Sequence, residues 1–349
     1  MKKLMIIALA TAALTACSMQ PKYTISGQVE GLEGTIYLTT REAVLDSTAV
    51  ENGAFKLSGE LEKPMVAYLA NNANLRAATV RALVLLEEGD IVLSVDSLGE
   101  AYVTGTKAND ANTTNAKKKM ALFTEYRNEA TTPERRAEIE SEYESMGRVA
   151  LEENLDNLYG LVVLDEEMYG LTGSEAEELA AKFSPEMQAT DLMAKLQEVI
   201  AVKKRTEVGQ PYIDFEQPDA EGNGVTLKSV IENPANKYVL VDFWASWCSP
   251  CMAEVPALKA AYDAFHKKGF EIFGVSLDNR KEAWEAAIKN KELNWLHVSD
   301  LKGWENAAAA EYGVKSIPSN YLVDCATGQI VGVNLRGEAV AEKVAEFLK

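Results

Sequence analysis

Apolar positions change their period twice along the chain. Between residues 22 and about 107 they alternate in short runs: Tyr23, Ile25 and Val29, then Ile36 and Leu38, Phe55 and Leu57, and Ile91, Leu93 and Val95. A period of two places such side chains on one face of a half-buried strand. Asn52-Gly53 marks a tight hairpin turn, and Glu88-Gly89-Asp90 separates two further strands. Residues 22–107 are therefore expected to form a small β-rich module, an antiparallel sandwich.

From 108 to 206 the period becomes helical. Ile139, Tyr143, Met146 and Ala150 fall at i, i+4, i+7 and i+11, and Leu192, Leu196, Val199 and Ile200 repeat the stripe. Thr132-Pro133 and Ser184-Pro185 place a capping residue before proline at the first helical position, and Ser174 with Glu177 reads as a capping box. Acidic runs such as 175–178 read as solvated helix faces, and the methionines and aromatics as core. Gly209-Gln210-Pro211 punctuates the exit. Strands and helices then alternate over 207–349. A hairpin (213–227) precedes strand 238–243, a helix, strand 270–276, helix 280–290, strand 295–298 and helix 304–312. Strands 321–323 and 330–333 and a final helix complete the pattern. This order predicts an α/β domain with a mixed sheet.

The N-terminus carries an address. Lys2 and Lys3 precede an apolar run over 4–14, too short to span a bilayer and shaped like a secretory signal. Leu14-Thr15-Ala16-Cys17 resembles a bacterial lipobox. Residues 1–16 are thus expected to be a lipoprotein signal peptide, Cys17 the lipidated mature terminus and 17–21 a tether. Each buried methylene contributes ~0.8 kcal/mol to such an anchor. The competing reading is an ordinary signal cut near Ala16 that leaves Cys17 free. Ser18 after the cysteine leans, by family rules, towards the outer membrane, with the protein facing the periplasm. The net charge is −18, and loss of Lys2 and Lys3 would make it more negative. That surface repels phosphate backbones, and no basic cluster with interleaved aromatics offsets it, so nucleic acid is excluded as a partner.

Chemistry concentrates in Trp247-Cys248-Ser249-Pro250-Cys251, at a strand-to-helix junction. Unpaired N–H groups and the positive end of the helix dipole favour thiolate over thiol there, making Cys248 the expected nucleophile and Cys251 the resolving thiol. The other readings are a metal clip and an inert disulfide. A zinc site would need a second ligand pair, and Cys325, His266 and His297 are scattered singly, so neither metal nor cofactor is expected. Asp242, among Val239, Leu240, Val241, Phe243 and Trp244, should be desolvated and its pKa raised. Glu254 lies one turn beyond Cys251 and is a second candidate for exchanging its proton. Between Cys17 and Cys248 there is no cysteine or histidine, and the carboxylates there lack calcium-loop spacing. Cys325 is an odd turn thiol, read as a bystander.

The run VLVDFWASWCSPC, with Glu254, Pro256 and YGVKSIPSNYLVD over 312–324, resembles the thioredoxin fold. It is most similar to the envelope thiol-disulfide oxidoreductases of the alkyl-hydroperoxide-reductase superfamily, over residues 207–349. The GQVEGLEGTIYL, DSTAVENGAF and VTGTKAND segments resemble a β-rich module that often precedes such domains in envelope lipoproteins. The resemblance implies that Asp242 manages the proton of Cys251, that Glu254 is an active-site glutamate, and that Pro256 kinks the motif helix. It further implies a cis Ile317-Pro318 bond that presents backbone to substrate, beside Trp247; Trp244 is also expected to wall the site, although core packing alone explains it. Expected partners are a disulfide-containing protein substrate and a membrane electron-donor thiol reductase, with electrons flowing in the reducing direction. Three other functions remain open. One is a thiol peroxidase, although Val241 and Ala245 stand where peroxiredoxins carry proline and a hydroxyl residue. The others are a scaffold lipoprotein with an accessory thioredoxin domain and copper delivery through the motif cysteines.

Overall fold

The computed structural model describes residues 22–348. The signal peptide, Cys17 and the tether lie outside the described residues. Those described form two compact units: one holds the chain up to Val163 with Phe183–Met193, the other Leu164–Lys182 with the chain from Ala194 onward. The helical region 108–206 is thus shared between the two units.

The first unit opens with eight strands: β1 (Lys22–Gln28), β2 (Thr35–Thr39), β3 (Val44–Ala49), β4 (Ala54–Glu60), β5 (Met65–Ala70), β6 (Arg81–Leu86), β7 (Gly89–Val95) and β8 (Ala101–Thr104). They make two four-stranded sheets, ordered β4-β1-β7-β8 and β3-β2-β5-β6. Ile25 and Ile91 from one sheet and Ile36, Leu38, Leu69 and Val84 from the other fill the shared core. The expected sandwich is not wholly antiparallel, because β1 and β7 pair in parallel. The chain crosses to the second sheet between them and returns at the same end, as a parallel pair requires. Asn52 and Gly53 do form a tight turn at positive φ. The flanking strands, however, pair in different sheets, so the turn is a corner, joined only by the Glu51–Ala54 bridge.

The helices are α1 (Lys107–Arg127), α2 (Pro133–Glu153), α3 (Leu158–Glu167), α4 (Gly173–Ala180), α5 (Pro185–Gln188) and α6 (Asp191–Arg205). Thr132 and Ser184 cap as expected. The capping box is instead Thr172 with Glu175. Thr172 keeps the extended backbone that a cap needs, whereas Ser174 is already helical and bonds Glu207. Tyr143, expected on the buried stripe, is 51% exposed. Leu122, Ile139 and Met146 form the seam of this helix pair, which is too narrow to cover the stripe's margin.

The second unit contains β9 (Glu216–Pro218), β10 (Gly224–Thr226), α7 (Leu227–Ile231), β11 (Tyr238–Trp244), α8 (Ser249–Phe265), β12 (Phe270–Ser276), α9 (Lys281–Lys291), β13 (Leu296–Val298), α10 (Ala307–Glu311), β14 (Ser319–Asp324), β15 (Gln329–Val333) and α11 (Glu338–Phe347). The five-stranded sheet is ordered β13-β12-β11-β14-β15, with β11 central. β11, β12 and β13 run parallel, and β14 and β15 are antiparallel. A central strand flanked on both sides is apolar on both faces, which is how 239–244 reads apart from Asp242. The helix expected over 304–312 is interrupted. Gly303–Glu305 forms a 3₁₀ turn and α10 starts afresh, because buried Asn306 accepts the Ala309 N–H as a new cap while its amide pairs with Gln217.

Candidate active site

β11 delivers the chain to its carboxyl end, and Ala245–Trp247 turn it into α8. Cys248 is the residue that caps α8. Its Sγ accepts the Cys251 N–H at 3.1 Å and lies 3.7 Å from the Ile317 carbonyl oxygen. Cys248 and Cys251 are joined as a disulfide. Both residues are buried, at 4% and 3% exposed. An N–H aimed at the first sulfur stabilises a thiolate there once the bond is reduced. Pro256 stands inside α8, where it removes one backbone donor.

Asp242 lies beneath the pair and is 5% exposed. Its carboxyl is raised to about 7, chiefly by desolvation; Arg336 pulls it down and Glu254 pushes it up. Glu254 does not bond Cys251: its Oε2 accepts the Gly337 N–H at 2.7 Å, so its charge reaches the site through Asp242. Arg336 escaped the sequence reading because an arginine in a loop carries no motif. Its guanidinium donates to the Pro318 carbonyl and to the Tyr169 hydroxyl at 3.2 Å. Asn320 holds the Arg336 loop by pairing its side chain with both the N–H and the carbonyl of Leu335, each at 2.9 Å. This accounts for an asparagine directly after the Pro318-Ser319 step.

The Ile317-Pro318 bond is cis. The Ile317 N–H has no hydrogen-bond partner among the described residues. Trp247 is 53% exposed and packs against Trp304, also 53% exposed, with centroids 6.0 Å apart. Trp244, expected to wall the site, is buried and belongs to the core beneath it. Cys325 sits at the other end of β11, where its N–H bonds the Lys237 carbonyl and burial pushes its thiol up to about 12. Among the described residues no cluster of His, Cys, Asp or Glu is suited to hold a metal.

Asp278, also missed from the sequence, braces the approach to Cys248. Its buried carboxylate accepts the Ser246 N–H at 2.9 Å, the Ser246 hydroxyl at 2.5 Å and the Ser276 hydroxyl at 2.8 Å. Asp278→Ala strands those donors and is expected to cost about 3 kcal/mol of stability, measured by urea unfolding, with slower disulfide exchange.

The β11–α8 junction, the paired cysteines and the adjoining cis-proline turn define a thioredoxin-like redox domain. Comparison with known proteins agrees. The AhpC/TSA family matches residues 208–332, and a domain of unknown function, DUF4369, matches 23–112. A thiol-disulfide oxidoreductase ResA of Bacillus thuringiensis subsp. konkukian is 30% identical over 147 residues, 42% of this chain and 80% of the relative. The ResA of Bacillus subtilis is 27% identical over 135 residues, 39% of this chain and 71% of that one. The thioredoxin domain of a Bacteroides vulgatus thiol-disulfide oxidoreductase is 36% identical, covering 41% of this chain and 99% of that structure, with a TM-score of 0.38. The chain belongs to the ResA-type thiol-disulfide oxidoreductases, through its C-terminal domain. It is an enzyme of dithiol-disulfide exchange, with Cys248 and Cys251 as the pair that fits the cycle.

Proposed function

We propose that the protein is a lipid-anchored, periplasm-facing reductase of protein disulfides. The carrying observation is the Cys248 sulfur, capped by the Cys251 N–H and set beside the Ile317 carbonyl, where an extended substrate can pair with the cis-proline turn. Cys248 thiolate attacks one sulfur of the substrate disulfide; a mixed disulfide forms and the other substrate sulfur leaves as thiolate, taking up a proton. Cys251 gives its proton to Asp242 and attacks Cys248, so the second substrate sulfur leaves and the enzyme is oxidised. Glu254 and Arg336 set the charge around Asp242, and Trp247, Ile317 and Pro318 form the docking edge. Two electrons pass to substrate in each cycle, so a membrane thiol reductase would have to restore the dithiol. The lipobox ending at Cys17 supports anchoring, and Ser18 supports the outer membrane. Among the described residues no helix is long and apolar enough to cross a membrane.

Direction is tested by the reduction potential of the Cys248/Cys251 couple, equilibrated against thiol buffers with Cys325 replaced by serine. The expected value is roughly −250 mV or lower; a value near about −120 mV would make the protein a disulfide donor and overturn the reductase reading.

A further inference from the structure

Strand register places three residues in one row across the sheet. Asp242 of β11 pairs with Gly274 of β12, and Gly274 pairs with His297 of β13. Side chains directly opposite one another on neighbouring strands share a face. The middle residue has no side chain, and a Cβ there would stand 2.4 Å from His297 Nδ1 and 3.1 Å from Trp244 Nε1. Gly274 therefore leaves the imidazole and the indole room to converge over it, next to Asp242.

The space they enclose is a small cavity lined by Asp242, Trp244, Cys251, Trp295 and His297 among others. It offers about 10 Å³ to the centre of a water-sized sphere, enough for roughly one water molecule. Among the described residues its polar groups lack protein partners at good hydrogen-bond geometry, a looser interaction of His297 with the Leu293 backbone being the exception. Both ring nitrogens of His297 and the indole N–H groups of Trp244 and Trp295 are buried without a hydrogen bond, and His297 is only 6% exposed. Leaving such groups bare costs about 1–3 kcal/mol each, whereas a water needs two to four partners of this kind. Burial pushes the imidazole down to about 3, with the Leu293 backbone opposing, so the ring stays neutral with one donor and one acceptor.

We infer that His297 is a positioning residue, which holds one water over Gly274 between itself, Asp242 and Cys251, and that this water relays to Asp242 the proton that Cys251 gives up. The inference rests on the proposed role of Asp242. The Cys251 S–H donates to the water, the water passes a proton to the Asp242 carboxylate, and the imidazole fixes the water by one hydrogen bond. The Cys251 thiolate then forms the bond to Cys248 as the bond from Cys248 to substrate breaks. The other groups facing Asp242 are Arg336, from the β15–α11 loop, and Glu254, from α8. Neither lines the cavity.

The test follows Asp242 protonation in the reduced full chain by carboxyl ¹³C NMR, with the resonance assigned by its loss in Asp242→Asn. His297→Leu removes the side chain that holds the water opposite Asp242 and leaves the cavity only the Trp244 and Trp295 indole N–H groups as donors. It is expected to move the Asp242 midpoint up by about one pH unit and to slow resolution of the mixed disulfide about tenfold at pH 7. Gly274→Ala should act the same way by displacing the ring. His297→Gln, which keeps a donor and an acceptor, should restore both readouts to within about twofold. An unmoved midpoint in folded His297→Leu overturns the inference, as does a His297→Gln protein that behaves like His297→Leu. If Asp242→Asn changes the pH profile of resolution and His297→Leu does not, the inference alone falls. If Asp242→Asn leaves that profile unchanged, the proton role of Asp242 falls and the inference falls with it.

Discussion

Cys248→Ser is expected to lower disulfide reduction by on the order of 10³-fold or more, to the background of free thiols in solution. Serine offers no thiolate, so the N–H that Cys251 aims at this position would have nothing to stabilise. Cys251→Ser should fail differently. Attack by Cys248 remains possible, but nothing expels the substrate, and a mixed disulfide accumulates that mass spectrometry detects as an adduct removed by reductant. The contrast assigns the roles. If the adduct instead builds up on Cys251 in a Cys248→Ser protein, nucleophile and resolving thiol are reversed. Wild-type turnover in either variant would remove the two-cysteine cycle altogether.

Asp242→Asn should be more stable than the parent at pH 8, and the margin should shrink as the pH falls towards 4. The carboxyl is held at about 7 in the folded protein against an ordinary value of 3.8, with desolvation the leading cause. A group whose folded pKa is raised contributes stability that is fully present below the unfolded value and is lost as pH rises through the folded one. The window is therefore about pH 4 to 7. A difference of about three units corresponds to roughly 4 kcal/mol lost by the parent above that window, at 1.36 kcal/mol per unit. The asparagine amide has its own burial cost, but that cost does not change with pH, so the pH dependence of the difference is the quantity to measure. Urea unfolding of the oxidised protein at pH 4 and pH 8 isolates it, because neither motif sulfur titrates in the disulfide. A margin that does not change with pH would show that Asp242 is ionised without penalty. Its place as a proton acceptor for Cys251 would then have no energetic basis.

A buried carboxylate that destabilises its own domain near neutrality is not explained by packing. The charged residues around it act on that cost in opposite directions. Arg336 supplies a compensating charge while bonding the Pro318 carbonyl, and Glu254 opposes it from α8. The same guanidinium thus bonds the turn that would receive substrate and acts through its charge on the group that would receive a proton. Asn320 fixes the loop that carries it.

The linear chain determined much of this by itself. Period two over residues 22–107, period 3.6 after it and their alternation beyond 207 specify three kinds of structure, because backbone geometry ties each period to one face of an element. Cys248 and Cys251 were legible because three residues span one helical turn, and Asp242 because a carboxylate inside an apolar strand is costly wherever that strand is buried. The tertiary structure decided the rest. It paired β1 with β7 in parallel, turned Asn52-Gly53 into a corner between sheets, and moved the capping box to Thr172 and Glu175. It brought Asp278 under Ser246, Arg336 onto Pro318, and His297 across Gly274 to Asp242. These contacts join residues from about 18 to more than 50 positions apart, and no local period encodes them. They follow from strand order and register, which depend on how whole faces of the chain are buried together.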